Sequence, residues 1–306
     1  MTFTAKRASL LAVLLLFAGC NLCSGQSTLA AHDKGFWRSI AANKFQIPPN
    51  EKPIALALEL SGYLASPDPE LRDDLAYTIL SVWIVRRQYF SPEELLQLEQ
   101  QWALNLRSGI GETGTDTVFK RSFSALCLAS IAERELKTPF MGEQKFRDLL
   151  AQALGYLRDE KDVRGFDATK GWMHSAAHTA DLLAALAENP LFTKQDQSSV
   201  LNAIAQRLAT AGEVFTFGEQ DRLANVAAVI AARQDFQADV FQSWLGQMDA
   251  MDRTVWQDSP PRLAALIRFQ NDSYLLRALV PQLLSRPSTP ALLEAQKAAL
   301  KSLQRR

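Results

Sequence analysis

The spacing of apolar residues predicts helices along nearly the whole chain. Apolar side chains recur at every third or fourth position, and no stretch alternates in the manner of a half-buried strand. Ser91-Pro92-Glu93-Glu94 gives one helix a capping residue, a first-turn proline and two acids in the expected order. Further helices are expected at about 35–44, 51–65, 66–83, 115–136, 141–158, 170–188, 194–210, 217–233, 236–252, 259–284 and 289–304.

This succession of helices predicts an all-α fold. Short linkers rich in Gly, Pro, Asp and Ser join the helices, and no change of composition divides residues 34–306 into two domains. Antiparallel helix pairs stacked as a HEAT-like α-solenoid fit such a pattern. A compact α/α multi-helix domain or toroid is the alternative, because no repeat of fixed period is evident in the sequence.

The N-terminal residues have the pattern of an export signal. A short basic segment precedes the apolar run at 9–18, which has the length of a signal-peptide core and is too short to cross a bilayer comfortably. Small residues then lead directly to Cys20, as in a bacterial lipobox, whose cysteine carries acyl chains. We therefore expect a signal peptide at 1–19, a lipid-anchored tether at 20–33, and a protein held on the periplasmic face of a bacterial membrane. Cleavage of an ordinary signal peptide near Gly25 is the alternative.

Composition narrows the range of partners. The chain has 33 basic and 33 acidic residues, and no basic stripe that would attract nucleic acid.

Its hydrophobic content of 47% is ample for a large core. Cys127 lies on an apolar helical face and is expected in that core. We expect the same of five aromatic residues with helical spacing, namely Trp83, Trp102, Phe119, Phe123 and Trp244.

Two histidines are the main candidates for chemistry. His174 and His178 are four residues apart in the helix expected at 170–188, and Asp181 follows one turn later. On such a helix the three side chains form a stripe away from its apolar face. They could share a divalent metal ion, or one imidazole could act as a general base with a carboxylate orienting it. Ser175 stands where the His-Glu-x-x-His metalloprotease motif has its glutamate.

Other polar residues are candidates for a binding surface. In the loop before the histidines, Asp167 could cap the next helix or add a carboxylate to the stripe, and Arg164 could hold a carboxylate in a bidentate pair. Asp73 and Tyr77 share one side of an earlier helix. Glu112 precedes another helix and would reach the histidines only if the helices stack suitably. Each of these residues also has a purely structural interpretation, as a cap or as part of an ion-pair network.

Several segments together are similar to a known family. They are Phe36-Trp37 with Ile47-Pro48, SPDPELRDDLAY at 66–77, GETGTDTVFKRSFS at 111–124, VRGFDATKGWMHSAAHTADLL at 163–183 and FGEQDRLA at 217–224. They resemble the domain of unknown function 2785, an uncharacterised family of bacterial helical proteins. The resemblance implies a helical fold but no particular activity. It also implies that Asp167, Trp172, His174, His178 and Asp181 match a family motif.

Two functional hypotheses follow from the sequence. The first is a helical binding or scaffold protein for an unknown protein or small molecule, with a polar groove around His174 and His178. That groove would be lined by Asp73, Tyr77, Glu112, Asp167, His174, His178 and Asp181. The second is a hydrolase, with or without a metal ion, that uses His174, His178 and either Asp167 or Asp181.

Overall fold

The fold consists of helices connected by short turns, as the apolar periodicity predicts. The structure is a computed structural model that describes residues 32–287 and 289–306. The N-terminal signal and Cys20 lie outside the described residues. The α-helices are α1 (Lys34–Ala42), α2 (Pro53–Tyr63), α3 (Thr78–Ser81), α4 (Pro92–Asn105), α5 (Thr117–Lys137), α6 (Gly142–Asp159), α7 (Ser175–Glu188), α8 (Lys194–Ala209), α9 (Glu219–Ala231), α10 (Ala238–Asp252), α11 (Leu263–Leu284) and α12 (Pro290–Leu303).

Five further elements complete the described secondary structure. The segments Glu70–Tyr77 and Val82–Arg87 are π-helical and flank α3, so that residues 70–87 are helical throughout. Val255–Gln257 forms a short 3-10 helix after α10. Between α6 and α7, strands β1 (Phe166–Asp167) and β2 (Gly171–Trp172) pair antiparallel.

Alternate helices pack side by side in two layers. Helices α5, α7, α9 and α11 contact one another in that order, and so do α6, α8, α10 and α12. Helices two apart in the chain are therefore neighbours within a layer, which buries the apolar stripe of each helix against the helices beside it. This arrangement confirms the expected all-α multi-helix fold within the unit Asp33–Arg306.

The core contains the aromatic residues expected there. Trp83, Trp102, Trp244, Phe119 and Phe123 are all buried, and the side chain of Cys127 is fully buried. Burial of aromatic rings of this size removes a large apolar area from water and stabilises the stacked helices. In the described part of the chain, no helix has the length and apolarity needed to cross a membrane.

Two expectations about local structure are wrong. The chain contains a strand pair where the sequence indicated none, and the helix expected at 170–188 begins only at Ser175. The physical reason is the turn at 167–171, whose side-chain hydrogen bonds and glycine favour a hairpin over a helix. Helix α11 begins at Leu263, a few residues after the approximate start expected for it, because Pro260 and Pro261 precede that point.

Candidate functional site

The β1–β2 hairpin is closed by the side chain of Asp167. Its Oδ1 accepts hydrogen bonds from the Thr169 amide at 2.8 Å, the Thr169 hydroxyl at 2.7 Å and the Lys170 amide at 2.9 Å. The Thr169 hydroxyl and these amides hold the pKa of Asp167 down at about 2, because they favour the charged carboxylate. Gly171 follows with φ of 75°, a conformation that suits glycine. Asp167 therefore holds the turn rather than adding a carboxylate to the histidines.

A buried arginine fastens this hairpin to the body of the protein. Arg72 has no exposed surface, and its Nη2 donates to the Lys170 carbonyl at 2.7 Å while its Nη1 donates to the Ser66 carbonyl at 2.8 Å. The guanidinium carbon lies 4.0 Å from the centre of the Phe119 ring, within cation–π range. These contacts join the turn to a helical segment about a hundred residues earlier in the chain.

Asp73 forms an ion pair with the buried Arg72 that holds the hairpin. Its Oδ1 lies 2.6 Å from Nε of Arg72 in an ion pair. Burial raises the pKa of Asp73 to about 6, although the neighbouring Arg72 favours the charged form. Asp73 is therefore placed to balance a buried cation.

The base of the hairpin packs tightly on the loop before α9. Gly165 accepts a 2.9 Å hydrogen bond from the Met173 amide. A Cβ at Gly165 would lie only 2.5 Å from both Glu219 Oε1 and Phe217 Cδ2. Glu219 is itself fixed, because its Oε2 accepts from the Phe217 amide at 2.9 Å. Only glycine fits at position 165 without displacing this loop.

Three aromatic side chains form an exposed patch where the hairpin and this loop meet. Phe166, Trp172 and Phe217 are 44%, 40% and 47% exposed, respectively. The ring centres are 4.7 Å apart for Phe166 and Trp172, 6.3 Å for Phe166 and Phe217, and 6.4 Å for Trp172 and Phe217. We call these three side chains the aromatic surface. A contiguous exposed group of large rings is a feature of binding sites rather than of ordinary protein surface.

His174 lies beneath the aromatic surface and outside the helix. Its φ is 48°, in the left-handed region, and it precedes α7 as the capping residue. The imidazole stacks on Trp172 with ring centres 4.3 Å apart, and its Nε2 is 2.9 Å from the Phe217 carbonyl oxygen. Because a carbonyl only accepts, Nε2 carries the proton. Burial lowers the pKa of His174, so the ring is neutral and supports Trp172 and Phe217.

His178 is buried between α5 and α7. Its Nδ1 lies 2.8 Å from the Ser122 hydroxyl, and its ring meets Phe123 edge-on at 4.9 Å. Ser122 donates its only hydroxyl proton to the Met173 carbonyl, so His178 Nδ1 must donate to Ser122. Burial holds the pKa of His178 well below its usual range. The imidazole is therefore a neutral core group whose Nδ1 is hydrogen-bonded to Ser122.

The expected stripe of His174, His178 and Asp181 does not form on one helix. The rings of His174 and His178 are 5.7 Å apart, but His174 lies before α7 and His178 is only 6% exposed. Asp181 is instead 2.5 Å from Arg222 Nη1. Burial raises the pKa of Asp181, and Arg222 opposes that shift. Among residues 32–287 and 289–306, no group of three His, Cys, Asp or Glu side chains is placed to hold a metal ion.

The remaining candidates are distributed over separate contacts. Tyr77 and Asp181 line a polar cavity of about 320 Å³ between the 70–77 segment and α9. Arg164 forms a bidentate pair with Asp162, with distances of 2.8 and 2.6 Å. Glu112 accepts hydrogen bonds from the hydroxyls of Thr115 and Thr117. The structure thus brings Trp172, His174 and His178 into contact, and it uses Asp73, Asp167 and Arg164 to fix the loops around them.

The sequence interpretation missed two members of the aromatic surface. Phe166 follows Gly165 in the loop before the helix expected at 170–188, and Phe217 precedes Gly218 at the first position of the helix expected at 217–233. The glycine beside each ring marks the edge of a regular element, and it was the available signal that the ring lies outside a helical core face. Nothing in the sequence indicated that Ser122 contacts His178, because serines are common within apolar helices.

Comparisons with other proteins identify the family of the chain. No curated protein and no solved structure matches it. One family model, described as "Protein of unknown function (DUF2785)", matches residues 106–280, a range that includes the hairpin, both histidines and Phe217. The similar segments at 36–48 and 66–77 precede the matched range. Since the match spans more than half of its 306 residues, this chain belongs to the DUF2785 family.

Proposed function

We propose that this protein is a binding protein whose aromatic surface holds apolar side chains of a partner protein. The observation that carries the proposal is the exposure of Phe166, Trp172 and Phe217, each at 40% or more, in mutual contact. Trp and other aromatic anchors supply much of the free energy of binding at protein interfaces. Contiguous exposed apolar groups on a folded protein mark sites of interaction with other molecules.

The rigidity of this surface favours binding. Arg72, Gly165 and Asp167 each fix one part of the hairpin, and His174 supports the Trp172 ring from beneath. A preorganised surface loses little conformational entropy when a partner docks. The strained backbone of His174 is tolerated because three neighbours hold its ring and its amide.

The polar rim is consistent with a protein partner. Lys170 Nζ lies 2.6 and 2.9 Å from the two carboxylate oxygens of Asp116, and both side chains are 40% exposed. Asp167 is a second charged group at the turn. An apolar centre with charged residues at its edge is the usual arrangement of a protein–protein interface.

The hydrolase hypothesis has weaker support. A Ser–His pair is present, but Ser122 is fully buried and donates its proton to a carbonyl, so its oxygen is not available to attack a substrate. The carboxylate that would orient a histidine, Asp181, is paired with Arg222. The geometry therefore supports binding better than hydrolysis.

The proposal also places the protein outside the cytoplasm, on a lipid anchor. Its support is the apolar run that ends directly at Cys20. Labelling cells with radioactive palmitate tests it: the wild-type chain should incorporate label and sediment with membranes, and a Cys20→Ser variant should do neither. Equal sedimentation of the two chains with membranes would contradict the anchor.

Site-specific photo-crosslinking in intact cells tests the binding surface. Phe166 or Phe217 is replaced by benzoylphenylalanine, which crosslinks to whatever contacts the ring. Leu104 on α4, which is 69% exposed, is the matched control position. We expect a discrete adduct with another protein from positions 166 and 217 and none from 104. No protein adduct at either aromatic position, or the same adduct at all three, would refute the proposal.

A further inference from the structure

A second cavity lies far along the chain from the hairpin, at the carboxyl end of α10. It has a volume of about 560 Å³, which is within the range of small-molecule sites. It is lined by Asp249, Asp252, Arg253, Trp256, Phe269, Arg305 and Arg306. The lining comes from α10, the 3-10 helix, α11 and the last residues of the chain, so that four separate segments enclose one space.

One wall of this cavity is aromatic. Trp256, in the 3-10 helix, is 64% exposed, and its ring centre is 5.9 Å from that of Phe269 at an angle of 75°. The indole face that Phe269 does not contact is available to a flat apolar group. Stacking on an indole is favourable for such a group and also fixes its orientation.

The floor of the cavity is an ion-pair network. Arg306 donates to Asp249 Oδ1 at 2.9 Å and to Asp252 Oδ2 at 2.6 Å, and Arg305 donates to Asp249 Oδ2 at 2.9 Å. Asp272 lies behind this network, where burial and the nearby Asp252 raise its pKa. A neutral Asp272 adds no negative charge to the floor.

Arg253 differs from the other arginines of the cavity. Within the described residues, no carboxylate lies within ion-pair distance of its guanidinium, although it lines the same space as Trp256. An arginine presents a planar fork of donors that matches a carboxylate, and Arg253 lines the same cavity as the exposed indole of Trp256. The guanidinium of Arg253 would bind the carboxylate end of a molecule, and the indole of Trp256 would bind its apolar end.

We infer that this cavity is a binding site for a small molecule that carries a carboxylate on a flat apolar ring. The ring stacks on Trp256, and the carboxylate pairs with the guanidinium of Arg253. Asp249 and Asp252 are neutralised by Arg305 and Arg306, so the floor does not repel such an anion. This site is independent of the aromatic surface and of the protein partner proposed for it.

Three probes of matched shape or charge test the inference by calorimetry on the complete chain. 2-Naphthoate has both the ring and the carboxylate, 2-naphthamide has the same ring without charge, and inorganic phosphate is an anion without a ring. We expect saturable binding of 2-naphthoate with a Kd below about 1 mM, and about tenfold weaker binding of the amide and of phosphate.

Variants locate the binding within the cavity. Arg253→Gln should weaken 2-naphthoate binding about tenfold and leave the affinity for the amide unchanged, because only the charged contact is lost. Trp256→Ala should weaken both ring-bearing probes. Arg86→Gln, on an exposed arginine of the 82–87 segment, is the control and should have no effect.

Three results would overturn the inference. They are the absence of saturable 2-naphthoate binding, equal affinities for 2-naphthoate and 2-naphthamide, and an Arg253→Gln effect no larger than that of Arg86→Gln. Circular dichroism of each variant separates a lost contact from a lost fold. If Trp256→Ala is misfolded, the Arg253→Gln comparison still decides the question, since that side chain is on the surface.

Discussion

Substitution of Gly165 by alanine tests how the hairpin is held against the loop before α9. The new Cβ would lie 2.5 Å from Glu219 Oε1 and 2.5 Å from Phe217 Cδ2, both well inside van der Waals contact. Phe217 and Glu219 are fixed to each other by a hydrogen bond, so neither moves alone. We expect the loop and the hairpin to separate by a few tenths of an ångström or more.

The size of the effect follows from the overlap. Inserting a methyl group into a well-packed contact lowers the free energy of unfolding by about 1–3 kcal/mol. With a urea m-value of about 3 kcal/mol/M, the unfolding midpoint should fall by about 0.3–1 M. Gly246→Ala is the control, because a Cβ at Gly246 in α10 meets nothing within 4 Å. That change should stabilise the helix by about 0.5–1 kcal/mol.

Hydrogen exchange provides a local readout of the same substitution. The amide of Met173 donates to the Gly165 carbonyl, and that of His174 donates to the Arg164 carbonyl. Both amides should exchange faster in Gly165→Ala than in the wild type, because local opening exposes them. If the variant has the wild-type midpoint and unchanged protection of both amides, the tight packing described for the hairpin base is incorrect.

Three further predictions concern buried groups. Arg72→Leu should lower the free energy of unfolding by about 3 kcal/mol, because the Lys170 carbonyl loses its donor. Urea titrations measure this change. A loss of stability as small as that of Arg86→Gln would contradict the role assigned to Arg72. Burial lowers the pKa of His178, so below pH 6.5 the unfolded chain binds a proton that the folded chain does not, and stability falls by up to about 1.4 kcal/mol per pH unit. The stability difference between wild type and His178→Gln should therefore be larger at pH 7.5 than at pH 5.5, and equal differences would refute a neutral His178. Burial also raises the pKa of the Cys127 thiol, so iodoacetamide should modify Cys127 in denaturant but not in the native chain, as peptide mass spectrometry can show.

The helices could be predicted from the sequence because their signals are local. Apolar spacing and capping residues act within one or two turns. Helices α5 and α6 begin and end close to the expected positions, and α4 begins at the expected Ser91-Pro92 start. The burial of Cys127 and of the core tryptophans followed from the same periodicity. The lipid on Cys20 stays a prediction.

The site was harder to predict because it depends on contacts between distant segments. Asp167 turns the chain into a hairpin, which removes His174 from the helix and cancels the expected stripe. Arg72 reaches Lys170 across 98 positions, and Ser122 reaches His178 across 56. No local pattern encodes such pairings. A histidine four residues from another therefore indicated proximity correctly but not the role of either ring.

The most direct test of the central claim is the affinity of a partner protein for variants of the aromatic surface. The partner is the protein crosslinked at position 166, and its Kd is measured by calorimetry with wild type, Trp172→Ala and Leu104→Ala. Removal of an aromatic anchor weakens binding by about 2 kcal/mol or more, which is about thirtyfold in Kd. We expect that loss for Trp172→Ala and no more than about a twofold change for Leu104→Ala. Equal affinities of Trp172→Ala and the wild-type chain would contradict it.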